Sequence, residues 1–384
     1  MKITGVYVYP IKALRGIRLE SAHVGPQGIR HDRRFMLLEV RPGTGELRKI
    51  QLDTHPRCAL FEQAFVRDGE QGDETAVSVR FLGQGPQEDA AGEGEGEGEG
   101  EGGEALLRVP LAPDTASLAK IDVDLHGSPA KAYRMGDAYD AWFGRRFGIR
   151  TVLVYIGDGR RAVLGRTLPP KPAPARQGGW ISSVVSYVTG TQDAAEGSAP
   201  WIAFSDVAPL LVTSEASLGD VRDRLLGGHP VEMYKFRPNL VVDGQGEGPW
   251  AEDFWAELTI SGSADDGDGD GDHGKAEQRR EKVLQLTGNC VRCTSLNVDY
   301  RTGRPGEGQE GSVLKSLMKD RRVDAGSKWS PVFGRYAFLG GGRGGGGGGE
   351  GGGGGGRGFR VSIGDDVRVT RRNEERSVWD WPGL

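Results

Sequence analysis

Cys290-Val291-Arg292-Cys293-Thr294-Ser295-Leu296-Asn297-Val298-Asp299 is the most informative stretch of this chain. Two thiols separated by two residues can bind a soft metal, exchange as a disulfide, or divide into one ligand and one bystander. No second Cys-x-x-Cys and no His pair lies nearby in the sequence, so a four-ligand zinc site has no obvious partners. Arg292 beside the thiols favours the charged form of a thiolate. On both sides of this stretch the chain reads mostly as strands. Ile3 to Tyr9, Arg34 to Val40, Ala59 to Val66, Thr151 to Ile156 and Asn239 to Val242 carry β-branched and aromatic residues bounded by turn formers. Two helices stand out among them. Asp137 caps a run with Tyr139, Trp142, Phe143 and Phe147 at helical spacing, and Ser214 or Ser217 opens a run with Leu218, Val221, Leu225 and Leu226. A shorter helix is predicted at Val313 to Lys319. So many strands with so few helices predict a β-rich or barrel architecture.

Composition narrows the class. Lys and Arg number 49 against 54 Asp and Glu, a net charge of -5 that argues against a general nucleic-acid surface. Three cysteines (Cys58, Cys290, Cys293) make no disulfide framework and fit a reducing compartment. Cys58 reads as an inert core thiol. No apolar run is long enough to span a bilayer, and Met1-Lys2-Ile3-Thr4 enters a strand pattern with no targeting leader. A cytoplasmic location without a membrane span is the expectation. The 64 glycines are concentrated in tracts at 83–104, 263–281 and 340–358. Such tracts bury too little apolar surface to offset chain entropy, so they read as disordered inserts. Each lies between strand-like runs: Ala76 to Leu82 and Ala105 to Val109, Trp255 to Ile260 and Lys282 to Leu286, Tyr336 to Leu339 and Phe359 to Ile363. That predicts three hairpin tips far from the chemistry. Leu168 to Gln192, rich in Pro, Gly and Ser, reads as a long irregular connection.

Further motifs are spread along the chain in a fixed order. Val8-Tyr9-Pro10-Ile11-Lys12-Ala13-Leu14-Arg15-Gly16 and Gly28-Ile29-Arg30-His31-Asp32-Arg33-Arg34-Phe35 come first. Phe204-Ser205-Asp206-Val207-Ala208-Pro209, Thr213-Ser214-Glu215-Ala216-Ser217-Leu218 and Phe236-Arg237-Pro238-Asn239 follow. Trp250-Ala251-Glu252-Asp253-Phe254-Trp255 precedes the cysteine segment, and Phe333-Gly334-Arg335-Tyr336 comes after it. The ordered set resembles the family in which an N-terminal β-barrel domain precedes a MOSC domain (molybdenum cofactor sulfurase C-terminal). Its members include the mitochondrial amidoxime-reducing component and related bacterial molybdenum-cofactor proteins. The resemblance covers nearly the whole chain outside the low-complexity tracts.

The resemblance implies a β-rich α+β fold: an N-terminal β-barrel-like domain plus a MOSC β-barrel domain with a few helices. It places the first domain at 1–135, a helix-strand segment and connection at 136–200, and the MOSC domain at 201–372. It implies a molybdenum cofactor (Mo-molybdopterin), with the second cysteine, Cys293, as metal ligand and catalytic residue and Cys290 beside it or merely buried. A pterin with a phosphate tail needs a soft ligand, cations, amides and polar edge groups. Lys12, Arg33 and Arg237 are the candidate cations; the alternative for each is a surface ion pair, which is weaker for Arg237. Arg34 competes with Arg33, since neighbours in a strand face opposite ways. Pro238 holds the backbone of Arg237 extended, which aims Arg237 and Asn239. Asp206, Val207 and Ala208 match a loop that approaches the cofactor, or form an ordinary turn. Thr213 and Ser214 could meet an anion at a helix start or simply cap it. Arg292 could contact the pterin or favour the thiolate, and Tyr336 lies near the cofactor or in the core. Ala13 stands where the family carries a small polar residue.

The function implied is two-electron reduction of N-hydroxylated or N-oxygenated small molecules. The chain has neither a ferredoxin-type cysteine set nor a flavin motif, so separate electron-donor protein(s) are the expected partners beside the small-molecule substrate. The competing reading is a sulfur-carrier or cofactor-handling protein, because MOSC domains also end the cofactor sulfurase. That association brings pyridoxal phosphate with it, yet no long segment with a Schiff-base lysine precedes this domain.

Overall fold

A computed structural model describes residues 1–69, 72–83, 106–165, 200–261, 281–340 and 358–382. The three glycine-rich tracts, apart from end residues, and the connection at Leu168 to Gln192 lie outside the described residues.

The larger sheet has eight strands. Ile3–Val8 pairs antiparallel with the short strand Ile17–Leu19 on one side and with Leu240–Val242 on the other, and Leu240–Val242 runs parallel to Leu210–Ser214. Next come Val332–Leu339, Glu281–Val291, Trp255–Ser261 and Asp366–Arg372, all antiparallel. A bridge between Lys2 and Asp366 then joins the last strand to the first, with Val367 N donating to Met1 O at 2.8 Å. The sheet therefore closes on itself, which removes its exposed edges. Alternate side chains point inward: Ile3, Val6, Val8, Leu240, Val242, Trp255, Leu258, Ile260, Leu284 and Leu286 form one buried cluster. Each such aliphatic side chain contributes about 1.5–3 kcal/mol by leaving water.

A second assembly lies between residues 35 and 155. Its five-stranded sheet contains Lys120–Leu125, Ser128–Arg134, Thr151–Tyr155, Phe35–Val40 and Leu47–Lys49. A three-stranded sheet of Phe61–Arg67, Glu74–Phe81 and Leu107–Pro110 packs beside it. The helix Asp137–Phe147 covers both through its aromatic face, with Phe61 stacked on Phe147 at 4.7 Å between ring centroids. Gly136, not Asp137, is the N-cap of this helix. Asp137 and Asp140 stand in the first turn, near its positive end. In the second helix Ser214 is the cap, accepting from Ala216 N, while Ser217 is buried and donates to Glu252. The third helix spans Val313–Met318.

Two expected hairpins are present: Glu74–Phe81 pairs with Leu107–Pro110, and Trp255–Ser261 with Glu281–Val291. The third is not. Val332–Leu339 lies in the closed sheet, whereas Phe359–Ser362 pairs with Ser21–Gly25 in another. The tract between them links two sheets, because both edges of Val332–Leu339 are already taken by neighbours. Strand pairing also crosses the expected boundaries, since the first strand belongs to the sheet built mainly from residues beyond 201. Cys58 is fully buried, and burial raises its thiol pKa, as an inert core thiol requires.

Candidate functional site

Where the two assemblies meet, a cleft enclosing about 810 Å³, its mouth included, is lined by residues distant in sequence. The turn after the first strand brings Lys12 and Ala13, and the turn after Ile29 brings Arg33. The loop before Leu210 brings Asp206 and Ala208, the end of a 3-10 turn brings Arg237 and Asn239, and the end of a long strand brings Cys290 to Cys293. Three of these wall residues hold positive φ without being glycine: Ala13 at 73°, Arg33 at 50° and Arg237 at 55°, so Arg237 is left-handed rather than extended as Pro238 predicts, because it closes the 3-10 turn Met233–Phe236. That conformation costs of order 1 kcal/mol each and persists only where surroundings enforce it.

The enforcement is visible around Tyr9. Its ring lies between the Arg33 and Arg237 guanidiniums, 4.6 and 4.4 Å from the ring centroid, and its hydroxyl donates to Pro238 O at 3.0 Å. Arg33 Nη1 donates to Asp32 Oδ2 at 2.5 Å and to Asn239 Oδ1 at 3.2 Å. Arg237 Nη1 donates to Leu14 O at 2.8 Å. Asn239 accepts from Leu211 N at 3.1 Å and donates to Tyr7 O at 3.2 Å, so it fixes the strand edges as well as Arg33. Arg34 is turned away, with its guanidinium on Gly157 O at 2.7 Å, which resolves the choice of the arginine at the cleft in favour of Arg33.

Lys12 is 5% exposed, yet its ammonium reaches Phe204 O at 3.0 Å and forms a short ion pair with Asp206 Oδ1. Burial lowers the Lys12 pKa to about 8, although Asp206 works against the shift. Burial raises the Asp206 pKa, but Lys12 and His126 outweigh it and hold the carboxyl well below its ordinary range. Arg161, with no exposure, donates to the carbonyls of Leu125, Ser128, Ala203 and Ser205 at 2.5–3.1 Å and so sets the course of the Asp206 loop.

The two cysteines differ. Cys290 is buried, accepts from Arg292 Nη1 at 2.8 Å and donates to the Tyr336 hydroxyl at 3.3 Å. Arg292 also donates to Phe236 O at 2.6 Å, and burial lifts the Tyr336 hydroxyl pKa well above its ordinary value. Cys293 is exposed at the lip of the cleft, 3.2 Å from Ser295 Oγ.

Lys12, Arg33, Asp206, Ala208, Arg237, Asn239, Arg292, Cys293 and Tyr336 thus share one cleft. Val207, Thr213 and Ser214 do not line it. Val207 packs with Trp381 and Tyr336 in an apolar cluster. The strand Leu210–Ser214 meets the cleft only at Leu210 and Leu211, so Thr213 lies against Met233 Sδ at 3.3 Å and Ser214 caps its helix. Sequence reasoning missed Gln51, Asp53 and Ser205 in the wall, and His126 and Arg161 behind it. Leu125-His126-Gly127-Ser128 carries a hairpin-turn signal, but nothing local to it announces Asp206 as a partner.

Among the described residues no group of three or more His, Cys, Asp or Glu is placed to hold a metal ion, so an ion held by side chains alone lacks donors. The donor set fits a chelated metal that needs one soft protein ligand, with cations for an anionic cofactor.

Residues 1–87 match the family model of the MOSC N-terminal beta barrel domain, and residues 199–368 that of the MOSC domain. The human mitochondrial amidoxime-reducing component 1 is 34% identical over 142 residues, 36% of this chain and 34% of the relative. The mitochondrial amidoxime reducing component 2 of Bos taurus is 33% identical over 136 residues, again 34% of the relative. The molybdenum cofactor sulfurase of Oryza sativa subsp. japonica is 25% identical over 224 residues, 56% of this chain and 22% of that protein. The matched region spans about a third of the length of the amidoxime-reducing relatives. With both family models matched in order along a β-rich chain, the protein belongs to the family that carries a MOSC N-terminal beta barrel domain followed by a MOSC domain.

Proposed function

We propose that the cleft binds a molybdenum cofactor and that the protein removes oxygen from N-hydroxylated or N-oxygenated small molecules, using electrons from a separate protein. The carrying observation is the exposed Cys293 thiol at the lip of a cleft walled by Lys12, Arg33, Arg237 and Arg292. In this reading Cys293 gives the metal its soft ligand, and the arginines and lysine face the anionic cofactor. When bound, the cofactor supplies a two-electron centre able to take oxygen from nitrogen. Residues from both proposed domains, 1–135 and 201–372, form the cleft walls, with the first strand of the former built into the sheet of the latter. Similarity to amidoxime-reducing components supports the substrate class. Among the described residues no helix is long and apolar enough to cross a membrane.

A second reading, cofactor handling with Cys293 as a sulfur carrier, is favoured by one observation. The match to the rice sulfurase extends over more of this chain than the amidoxime-reducing matches do. Elemental analysis combined with a reductase assay on amidoxime and hydroxylamine probes separates the two. Stoichiometric molybdenum with reduction of a probe supports the first, and labile sulfur on Cys293 without molybdenum supports the second. Cys293→Ala is expected to abolish reduction and lose molybdenum, with Cys290→Ala milder. Equal loss of activity in both variants with molybdenum retained would point to a dithiol mechanism and overturn the ligand assignment.

A further inference from the structure

Behind the Lys12–Asp206 pair a line of hydrogen bonds leads out of the cleft through the other assembly. His126 Nε2 lies 3.1 Å from Asp206 Oδ1, and His126 Nδ1 lies 3.1 Å from Lys49 Nζ. The imidazole is only 7% exposed, whereas Lys49 is half-buried and reaches the surface. His126 is fixed from three sides. It occupies a two-residue hairpin turn with Gly127, both at positive φ (61° and 73°), as a tight hairpin requires. Asp124 Oδ1 accepts from Gly127 N at 3.0 Å, and the His126 carbonyl accepts from Trp381 Nε1 at 2.8 Å. A side chain held this firmly between a lysine and a carboxylate is positioned for transfer as well as for packing.

We propose that Lys49, His126 and Asp206 form a proton relay that recharges Lys12, the amine that gives up a proton in the cleft. The proposal rests on the function proposed above. Reduction of an N-hydroxyl group to N–H and water takes up two electrons, supplied by the electron-carrier protein, and two protons. An occupied cleft excludes water, so protons need a route that does not pass through its mouth. The Lys12 ammonium has a pKa suited to giving a proton near neutral pH. After it has done so, one concerted shift recharges it: Lys49 gives a proton to His126 Nδ1 as the His126 Nε2 proton passes along Asp206 to Lys12, so neither an imidazolate nor a protonated Asp206 builds up. Lys49 refills from solvent, and the imidazole turns over to restore Nε2–H before the second proton. Each hop breaks one N–H or O–H bond and forms another, so charge is conserved along the line. Burial lowers the His126 pKa although Asp206 opposes the shift, which keeps the ring neutral and able to accept at Nδ1 while donating at Nε2. The other charged groups facing the relay are Arg33 and Arg161 toward Lys12 and Asp206, Asp53 and Asp124 toward Lys49, and the Tyr336 hydroxyl toward Asp206. His126 and Lys49 touch no reacting atom and are positioning residues.

The test has two arms. In the chain without cofactor, the 15N resonances of His126 at pH 7 are expected to show a neutral ring protonated at Nε2 and bare at Nδ1. A ring protonated at Nδ1, alone or with Nε2, overturns the relay. In the cofactor-loaded protein, with reduced viologen as electron source and an amidoxime as probe, His126→Ala and His126→Asn are compared with wild type. Asparagine tolerates the positive φ of this position and protects against loss of the turn. Both variants are expected to lose at least about tenfold in kcat at pH 8 and less at pH 6, with KM, molybdenum content and Tm retained. Added 4-methylimidazole is expected to restore His126→Ala. Unchanged kcat overturns the proposal, as does a loss that imidazole does not restore or one that follows Tm. Should the loaded wild type reduce no N-hydroxyl probe, the function reading falls, and the resonances of the unloaded protein alone decide the relay.

Discussion

Glu252 offers a test in which sign and size both follow from geometry. The residue has no exposure, accepts one hydrogen bond from Ser217 Oγ at 2.7 Å, and its Oε1 has no partner. Its neighbour Asp253 takes the cations: Arg321 Nη2 reaches both its oxygens at 2.7 and 2.9 Å, and Arg376 Nε reaches it at 2.8 Å. Burial, aided by the Asp253 charge and opposed by Ser217 and Arg321, raises the Glu252 pKa from 4.5 to about 7. A carboxyl whose pKa is higher in the folded chain stabilises the fold below its unfolded value, and that stability disappears as pH rises through the folded value. At 1.36 kcal/mol per pH unit, about 2.5 kcal/mol is lost between pH 5 and pH 8. The perturbation is Glu252→Gln, which keeps the shape of the protonated acid and cannot ionise. Chemical denaturation of both proteins across pH 5–8 isolates the contribution, because every other titrating group is common to them. The stability of wild type relative to Glu252→Gln is expected to fall by about 2.5 kcal/mol over that window, a relative change in Tm of roughly 3–4 °C for a chain of this length. A constant offset between the two curves is immaterial. Parallel curves, or a wild type that gains relative stability on the alkaline side, would show that Glu252 is ionised in the fold and refute the reasoning.

Arg237→Lys is expected to cost about 1.5–3 kcal/mol in cofactor retention, since an ammonium cannot hold the Leu14 carbonyl and stack on Tyr9 while presenting a planar fork to an anion. Molybdenum content and Tm of the unloaded protein, measured on one preparation, decide it: a fall in Tm alone limits Arg237 to holding the turn. Arg161→Met is expected to lower stability by at least about 3 kcal/mol, because four buried carbonyls lose their donor together. Urea denaturation checks this, and a change under 1 kcal/mol would mean that water replaces the guanidinium at about the strength of a direct hydrogen bond.

The strands and helices were legible because their signals are local. Asp137 to Phe147 shows helical spacing whatever lies around it, and Ile3 to Tyr9 alternates and ends at Pro10. The site was legible only through the ordered motifs, since no window of sequence shows that Lys12, Asp206, Arg237 and Cys293 share a cleft. What stayed hidden is long-range. Closure of the sheet depends on a bridge between Lys2 and Asp366, and the expected hairpin around the last glycine tract fails because neighbouring strands already occupy both edges of Val332–Leu339. Thr213 and Ser214 carry suitable hydroxyls, but strand direction carries them away from the cleft, where one bonds Met233 and the other caps a helix. Arg161 sits in Gly159-Arg160-Arg161-Ala162, and nothing local to that stretch distinguishes the fully buried Arg161 from Arg160, which is exposed.

The four cleft cations are not equivalent, and the difference bears on what the cleft can hold. Lys12 is paired with Asp206 and Arg33 with Asp32, so each arrives with its own carboxylate and adds little net charge. Arg237 donates to the Ala13 and Leu14 carbonyls, and Arg292 to Cys290 Sγ and Phe236 O, so among the described residues no carboxylate is bonded to either. Both are tied by neutral groups that fix direction without cancelling charge. An anion entering the cleft therefore meets uncompensated positive charge at Arg237 and Arg292, in a recess where screening by water is weak. The paired cations behave differently: attraction to an anion at Lys12 or Arg33 is opposed by the carboxylate already there. Arg292 is also next to Cys293 in sequence, so the uncompensated charge and the exposed thiol lie on one segment of the cleft wall. One region of the cleft thus combines an accessible soft donor with unneutralised guanidinium charge, and the Lys12–Asp206 pair adds titratable groups to the same cleft.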